Sequence, residues 1–244
     1  MSDDGGILCE SCGYRLDGLP VEGNCPECGT PVRLSTVDSP RTLSAFEEHN
    51  GASAFWRTTL RIWLKPAKAF ATLRSRVDDQ TRALGASFGR NHLLLASLPA
   101  ALAMTGHLEL NVGSIGAAVS PGPPKFLMLG PVFLVTVFLA WSGLMLGRKL
   151  IIAVATFEAR WRGMRLPGPV VRRVMDYHVA HLLPVTLMAA LVVVAANVAF
   201  HLRLAGPSTF FNYLVALCGV IVVGSVWLFW TFWLAMSNML RANV

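Results

Sequence analysis

The sequence predicts a mainly α-helical polytopic membrane protein, with about four transmembrane helices and a small N-terminal zinc ribbon. Two observations predict this fold class. Of the 244 residues, 54% are apolar and 14% are charged, whereas soluble domains carry about 25% charged residues. Near the N-terminus, the pairs Cys9-x-x-Cys12 and Cys25-x-x-Cys28 have the spacing of a site in which four thiolates hold one metal ion.

The cysteine pairs define the first predicted domain, residues 1–35. Gly13 and Gly29 follow the two pairs and allow backbone amides to turn toward the sulfurs. We expect one structural Zn²⁺, and a rubredoxin-like iron centre is the alternative because it uses the same ligands. The expected metal ligands are Cys9, Cys12, Cys25 and Cys28. The first fifty residues contain no apolar signal-peptide core, so we expect no cleavable leader and a cytosolic ribbon with reduced cysteines.

The charge of this domain argues against nucleic acid as its partner. Residues 1–35 contain six acidic and two basic side chains, a net charge of −4. Zinc held by four thiolates adds about −2 more. Because such a surface repels a phosphate backbone, a protein partner or a purely structural role fits the ribbon better.

A linker over residues 36–52 is expected to lead to a basic amphipathic helix over residues 53–76. Its apolar residues recur at intervals of three and four, and the segment has six basic residues and no acidic one. Such a helix suits the surface of the inner leaflet, where each basic side chain contributes on the order of 1 kcal/mol on anionic lipid. The residues expected at the membrane surface are Trp56, Arg57, Arg61, Trp63, Lys65 and Lys68.

Two further features of this helix follow from its sequence. Pro66 lacks a backbone N–H, so it is expected to kink or divide the helix. The apolar face also has an alternative role, since it can pack on the protein's own helix bundle instead of on lipid.

Four apolar segments are candidate spans within a transmembrane domain of residues 91–240. Residues 126–146, 182–200 and 210–232 each approach the roughly 20 residues that a bilayer requires. Residues 91–110 form a weaker segment that contains a proline, and a re-entrant helix is the alternative there.

Charge counts predict the orientation of the spans. Residues 41–90 contain nine Lys and Arg and residues 148–173 contain seven, whereas the other two connections contain one each. By the positive-inside rule both rich stretches are cytoplasmic, which requires two crossings between them. The sequence therefore predicts four spans with both termini in the cytosol.

The membrane part carries no recognisable catalytic constellation, so no catalytic residue is assigned and the chain is not expected to be an enzyme. The three stronger spans contain no Asp, Glu, Lys or Arg, which argues against ion-coupled transport. Asp176, His178 and His181 cluster before the third span, where we interpret them as ordinary polar residues at the membrane edge. Gly143-x-x-x-Gly147 permits close helix approach and hence a homo- or hetero-oligomer.

Two resemblances carry further expectations. The segments Cys9-Glu-Ser-Cys12-Gly13-Tyr14 and Cys25-Pro-Glu-Cys28-Gly29 resemble the double-knuckle ribbon that heads many bacterial membrane proteins. Residues 66–73, 83–84 and 177–184 are similar to the Yip1 family of multispan membrane proteins. The second resemblance implies a cytosolic N-terminus, about five spans, no shared catalytic residues and a function through protein partners.

These observations lead to an expected function. The chain is expected to be a non-catalytic scaffold or adaptor in the bacterial cytoplasmic (inner) membrane, whose ribbon binds a protein partner. The alternative is a small multispan transporter or channel subunit.

Overall fold

The computed structural model describes residues 7–39, 41–74, 77–116, 125–161, 168–202 and 207–239. Within these ranges the chain is mainly helical and contains no β-strand, only isolated bridges. The helical fold class is therefore confirmed. The α-helices are α1 (Ala45–His49), α2 (Ala52–Leu64), α3 (Pro66–Ala71), α4 (Asp79–Gly116), α5 (Lys125–Trp161), α6 (Gly168–His178), α7 (Leu182–His201) and α8 (Pro207–Met239).

Local sequence explains where the short helices begin and end. Ser44 caps α1 with a capping box, in which its hydroxyl accepts from the Glu47 backbone N–H and the Glu47 carboxylate accepts from the Ser44 N–H. The chain leaves the helical conformation at Lys65 and resumes it at Pro66, the first residue of α3. The prediction that Pro66 divides the amphipathic helix is thus confirmed.

Among the described residues, three stretches are long and apolar enough to cross a membrane: Gly130–Glu158, Val170–Phe200 and Phe211–Met239. They contain most of the three stronger segments predicted from the sequence. The weaker segment, residues 91–110, lies inside α4, which stays helical through Pro99 but is not among these stretches. The predicted count of four spans is therefore not confirmed.

The chain forms two compact units. Unit 1 comprises Met1–Gly89, Lys149–Ala180 and Trp230–Val244, and unit 2 comprises Arg90–Arg148 and His181–Phe229. The long helices α4, α5 and α8 each contribute residues to both units.

The core of unit 1 is an aromatic cluster that joins α1, α2, α4 and α6. The Phe88 ring lies at its centre, with centroids 5.6 Å from Phe46, 5.1 Å from Phe55 and 5.1 Å from Tyr177. The close approach of α4 to α6 requires a glycine at position 89, because a Cβ there would lie 2.8 Å from the Asp176 carbonyl oxygen.

Unit 1 also buries an ion pair between α1 and α6. The Arg173 guanidinium donates to both carboxylate oxygens of Glu47, at 2.7 and 3.0 Å, and to the backbone carbonyl of Arg74. The Arg173 and Glu47 side chains are 6% and 0% exposed. Gly85 of α4 leaves room for the pair, since a Cβ there would lie 3.1 Å from Glu47 Oε1. A two-point contact of this kind fixes the relative position of the two helices.

In unit 2, small residues and a few polar groups hold α7 against α4 and α8. A Cβ at Gly224 would lie 2.6 Å from Val185, so α7 and α8 approach closely at this point. Asn197 of α7 donates its side-chain amide to the Gly106 carbonyl of α4, at 3.3 Å. A Cβ at Gly143 or Gly147 of α5, by contrast, would have no atom of another described element within 4 Å.

Candidate metal centre and its attachment to unit 1

The two cysteine pairs form matching knuckles. In the first, the Gly13 N–H donates to the Cys9 carbonyl (2.8 Å) and the Cys9 N–H to the Tyr14 carbonyl (2.7 Å). In the second, Gly29 donates to Cys25 (2.9 Å) and Cys25 to Thr30 (2.8 Å). The two glycines have φ values of 82° and 73°, a conformation that L-residues rarely adopt.

The knuckles bring the four sulfurs to the spacing of a tetrahedral metal site. The Sγ atoms of Cys9 and Cys28 lie 3.6 Å apart, as do those of Cys12 and Cys25, and all four sulfurs lie within 4.8 Å of one another. A tetrahedral ion with metal–sulfur bonds of about 2.3 Å places its ligands about 3.8 Å apart. The four predicted ligands thus form one cluster able to bind a metal ion. It is the only such cluster of three or more groups within the described ranges.

The thiols differ in their readiness to ionise. A side-chain hydrogen bond with the Thr30 hydroxyl and a backbone hydrogen bond with Thr30 lower the pKa of Cys28 to about 6. A backbone hydrogen bond with Tyr14 lowers the pKa of Cys12, but burial and hydrogen bonds with the other three cysteines together outweigh it and raise the pKa to about 12. Four sulfurs this close cannot all carry charge unless a cation compensates them, which is the electrostatic reason for a metal here.

The hydrophobic core around the sulfurs is very small. Its buried residues are Cys9, Leu16, Cys25 and Val32, with Cys12 and Leu19 packed against them. Two of the four buried residues are themselves ligands, so the apolar contribution to folding is slight. Domains of this size depend on a metal or disulfides for stability.

A buried arginine attaches the ribbon to the rest of unit 1. The Arg41 side chain is 5% exposed, and its Nε donates to the carboxylate of Glu10, between the ligands Cys9 and Cys12, at 2.9 Å. Its Nη1 donates to the carbonyl of Phe70 (3.3 Å), at the end of α3, and to that of Leu73 (3.1 Å), just after α3. We call this set of contacts the Arg41 clamp.

The Arg41 clamp also reaches the end of α8. Arg41 Nη2 donates to the backbone carbonyl of Asn238 at 3.1 Å, one residue before the candidate span Phe211–Met239 ends. Sequence reasoning missed this contact, because Arg41 and Asn238 are separated by almost the whole chain. The adjoining residue Thr42 pairs with the chain after α3, accepting from the Arg74 N–H at 2.9 Å and donating to the Thr72 carbonyl at 2.7 Å. Residues 36–52, which the sequence suggests as a linker, are therefore tied to unit 1 and contain α1.

Helix α2 has three faces instead of two. Phe55, Thr58, Thr59 and Ile62 are buried. Trp56, Leu60 and Leu64 form an exposed apolar stripe, with 44%, 49% and 75% of their surface accessible. At 100° per residue, Arg57 and Arg61 lie between that stripe and the buried face. The helix is thus able to contact both the protein and an apolar medium, the two roles that the sequence left open.

The remaining residues predicted at the membrane surface fall into two groups. Lys65 and Lys68 are exposed, as are Arg57 and Arg61. Trp63 is half-buried, and its indole N–H donates to the Ala180 carbonyl at 2.9 Å, within unit 1. The indole of Trp63 therefore already has a hydrogen-bond acceptor in the protein.

The polar cluster that the sequence places before the third span lies within the apolar stretch Val170–Phe200 and is buried. Asp176 and His178 are each 6% exposed in unit 1, and His181 is fully buried in unit 2. This differs from the sequence interpretation of ordinary polar residues at a membrane edge. The reason is that α6, where Asp176 and His178 lie, is covered by α4 of the same unit, at the close approach that Gly89 permits.

The chain matches no protein-family model, and no characterised protein or solved structure is significantly similar to it. The resemblance of residues 66–73, 83–84 and 177–184 to the Yip1 family thus receives no support from these comparisons.

Substituting the first knuckle tests the ligand assignment. We expect Cys9→Ser/Cys12→Ser to lose bound metal completely and to unfold the ribbon, because two hydroxyls replace two thiolates in a domain with a minimal core. Metal content per chain, measured by elemental mass spectrometry after gentle purification, checks this. Cys218→Ser is the matched control, since Cys218 is an exposed residue of α8 outside the cluster. Stoichiometric metal in the double variant would refute the assignment.

A substitution in the Arg41 clamp tests the attachment. We expect Arg41→Met to leave the metal bound but to loosen the ribbon, so that limited proteolysis within residues 36–44 accelerates about tenfold or more. Breaking a buried ion pair by removing one partner costs about 3–5 kcal/mol. Arg33→Met is the control, because the exposed Arg33 side chain pairs with the exposed Asp38 side chain at 3.7 Å, a contact of little energetic weight. Equal cleavage rates for the two variants would contradict the clamp.

Proposed function

We propose that this chain is a non-catalytic membrane scaffold whose cytosolic zinc ribbon binds a protein partner at the bilayer surface. The Arg41 clamp is the observation that carries the proposal. It ties the knuckle residue Glu10 to the last turn of a helix that is apolar enough to span a membrane. A ribbon held in this way is presented at a defined place beside the membrane instead of on a free tether.

Zinc is the proposed metal. Four thiolates supply a complete tetrahedral set with no open position, which is the donor set of structural zinc sites. Zinc has no redox chemistry, and its role here would be to hold the two knuckles together. The closed coordination therefore supports a binding module over a catalytic centre.

The ribbon and the segment after it offer apolar surface for a partner. Five large apolar side chains in this region are 38% or more exposed: Ile7, Tyr14, Val21, Leu34 and Val37. Val37 is the most exposed, at 79%. The surrounding charge is acidic, so the partner surface is proposed to be apolar with a basic rim, and nucleic acid is not proposed as a ligand.

The membrane arrangement proposed is four spans with both termini in the cytosol, in the bacterial cytoplasmic membrane. Three spans lie within the apolar stretches already described. The fourth is α4, a continuous helix of 38 residues, long enough to include both a cytosolic part and a crossing. The two Arg- and Lys-rich stretches, residues 41–90 and 148–173, then face the same side.

Cysteine labelling tests this orientation. In a Cys218→Ser background, a cysteine at Ser120 is expected to react in whole cells with a membrane-impermeant thiol reagent, and one at Ser75 only after permeabilisation. Both positions lie outside the described residues and are chosen from the sequence. Labelling at Ser75 in intact cells, or none at Ser120, would reverse the proposed orientation.

One observation favours the second candidate, a small transporter or channel subunit. Unit 2 contains a polar set on its membrane helices, in which His107 Nδ1 and the Tyr213 hydroxyl lie 2.5 Å apart. Asn197 Oδ1 and the Thr105 hydroxyl are buried without a hydrogen-bond partner among the described residues. Unsatisfied polar atoms in a membrane interior are costly and mark sites for water or a polar solute.

Affinity purification from native membranes distinguishes the two candidates. We expect the wild-type chain to recover a protein partner that the Cys25→Ser/Cys28→Ser variant loses, because the variant cannot hold the second knuckle. Cys218→Ser serves as the matched control and should recover the partner.

Proteoliposomes that contain the wild-type chain are expected to show no solute flux above that of empty vesicles. Identical recovery by wild type and variant would contradict the scaffold, and flux that disappears in Asn197→Leu would establish the transporter.

A further inference from the structure

Unit 1 contains a cavity of about 70 Å³ between residues 42–45, α2 and α3. Its walls are mainly apolar and include Ile62 and Phe70, which are 2% and 0% exposed. Ser44 and Tyr177 line it as well, and their hydroxyl oxygens lie 2.8 Å apart. A cavity of this kind suits a small group with both an apolar and a polar part.

Two arginines of α2 line the same cavity. Arg57 and Arg61 are exposed and lie one helical turn apart. Arg61 is positioned by a hydrogen bond from its Nη2 to the Thr72 hydroxyl, 2.8 Å, across the cavity from α2 to the end of α3. Among the described residues, Arg57 has no hydrogen bond or ion pair, and the residues that line the cavity include no acidic one. Two guanidinium groups without a carboxylate leave their donors available to an anion.

The surface beside this cavity is apolar. Leu60 and Leu64 belong to the exposed stripe of α2, and they lie next to the two arginines around the helix axis. A ligand whose charge lies at Arg57 and Arg61 would therefore have apolar protein surface on one side and the cavity on the other. An amphiphilic ligand would contact both the arginines and the apolar surfaces, whereas a free inorganic anion would contact the arginines alone.

We propose that this cavity binds the headgroup of an anionic phospholipid. Its phosphate lies between Arg57 and Arg61, each of which is able to donate two parallel N–H groups to phosphate oxygens. The first carbons of the glycerol backbone enter the apolar cavity, and the acyl chains follow the stripe of Trp56, Leu60 and Leu64. The proposal depends on the membrane location of the chain but not on the ribbon or its partner.

The inference differs from a general attraction of a basic helix to anionic lipid. Lys65 and Lys68 belong to the same basic segment and are exposed, but neither lines the cavity. In a diffuse electrostatic attraction, every cation near the membrane surface contributes about equally to binding. A defined headgroup site instead depends on the two arginines and on the open space beside them.

Lipid titration of the purified, delipidated chain tests the site. With native mass spectrometry as readout, we expect one phosphatidylglycerol to bind in preference to phosphatidylcholine. The variant Arg57→Gln/Arg61→Gln should weaken this binding about tenfold or more, since it removes two charges that contact the phosphate. Lys65→Gln/Lys68→Gln removes the same charge from the same segment and should change the apparent Kd less than threefold.

Two further arms make the outcome unambiguous. Ala69→Leu fills the cavity without altering charge and should also abolish preferential binding of phosphatidylglycerol. The thermal unfolding midpoint of every variant is measured, and values equal to that of the wild type verify that the fold is kept. Equal weakening by the arginine and lysine pairs, or unchanged binding in Ala69→Leu, would overturn the proposal. Glycerol 3-phosphate that binds as tightly as phosphatidylglycerol would assign the site to a soluble phosphate ester and would equally refute a lipid. A negative result in these lipid-binding experiments would not change the outcomes expected for cysteine labelling and partner recovery under the scaffold proposal.

Discussion

Arg41 is a cation held almost entirely out of water, and its guanidinium meets acceptors from three separate stretches of the chain. Burying a charge without partners costs several kcal/mol, so the folded state of unit 1 must keep these acceptors in place. One of them, Glu10, is positioned by the knuckle that presents Cys9 and Cys12. The geometry of the metal site and that of the last turn of α8 are therefore not independent, because both meet at one side chain.

A second buried arginine works in the same way between other elements. Arg173 of α6 is neutralised by Glu47 of α1, and the aromatic cluster around Phe88 packs between the same helices. Glycines at 85 and 89, one helical turn apart on α4, give the space that this arrangement needs. Apolar packing has little directionality, whereas the two-point ion pair fixes the position of α6 against α1.

Much of this architecture is predictable from the sequence because it depends on local patterns. The ligand spacing around Cys9 and Cys25, the division of the helix at Pro66 and the three strongest apolar stretches are all encoded within a few residues of where they occur. The buried arginines are not predictable in this way. An isolated Arg is expected at the surface, and the partners of Arg41 and Arg173 lie 31 and 126 positions away. The three faces of α2 are not predictable for a related reason. The spacing of apolar residues shows which of them share one side of the helix, but not which of these contact the protein and which remain exposed.

The attachment of the ribbon through Glu10 changes how a truncated chain would behave in a cell. Removing residues 1–35 would take away the carboxylate and leave the Arg41 guanidinium with only backbone carbonyls and the Met239 sulfur among its described acceptors. The damage would then extend to the turn after α3 and to the last turn of α8, far from the deleted segment. A phenotype of such a deletion would therefore reflect disturbed contacts in the rest of unit 1 as well as the loss of the ribbon. In a genetic experiment the two effects would be inseparable.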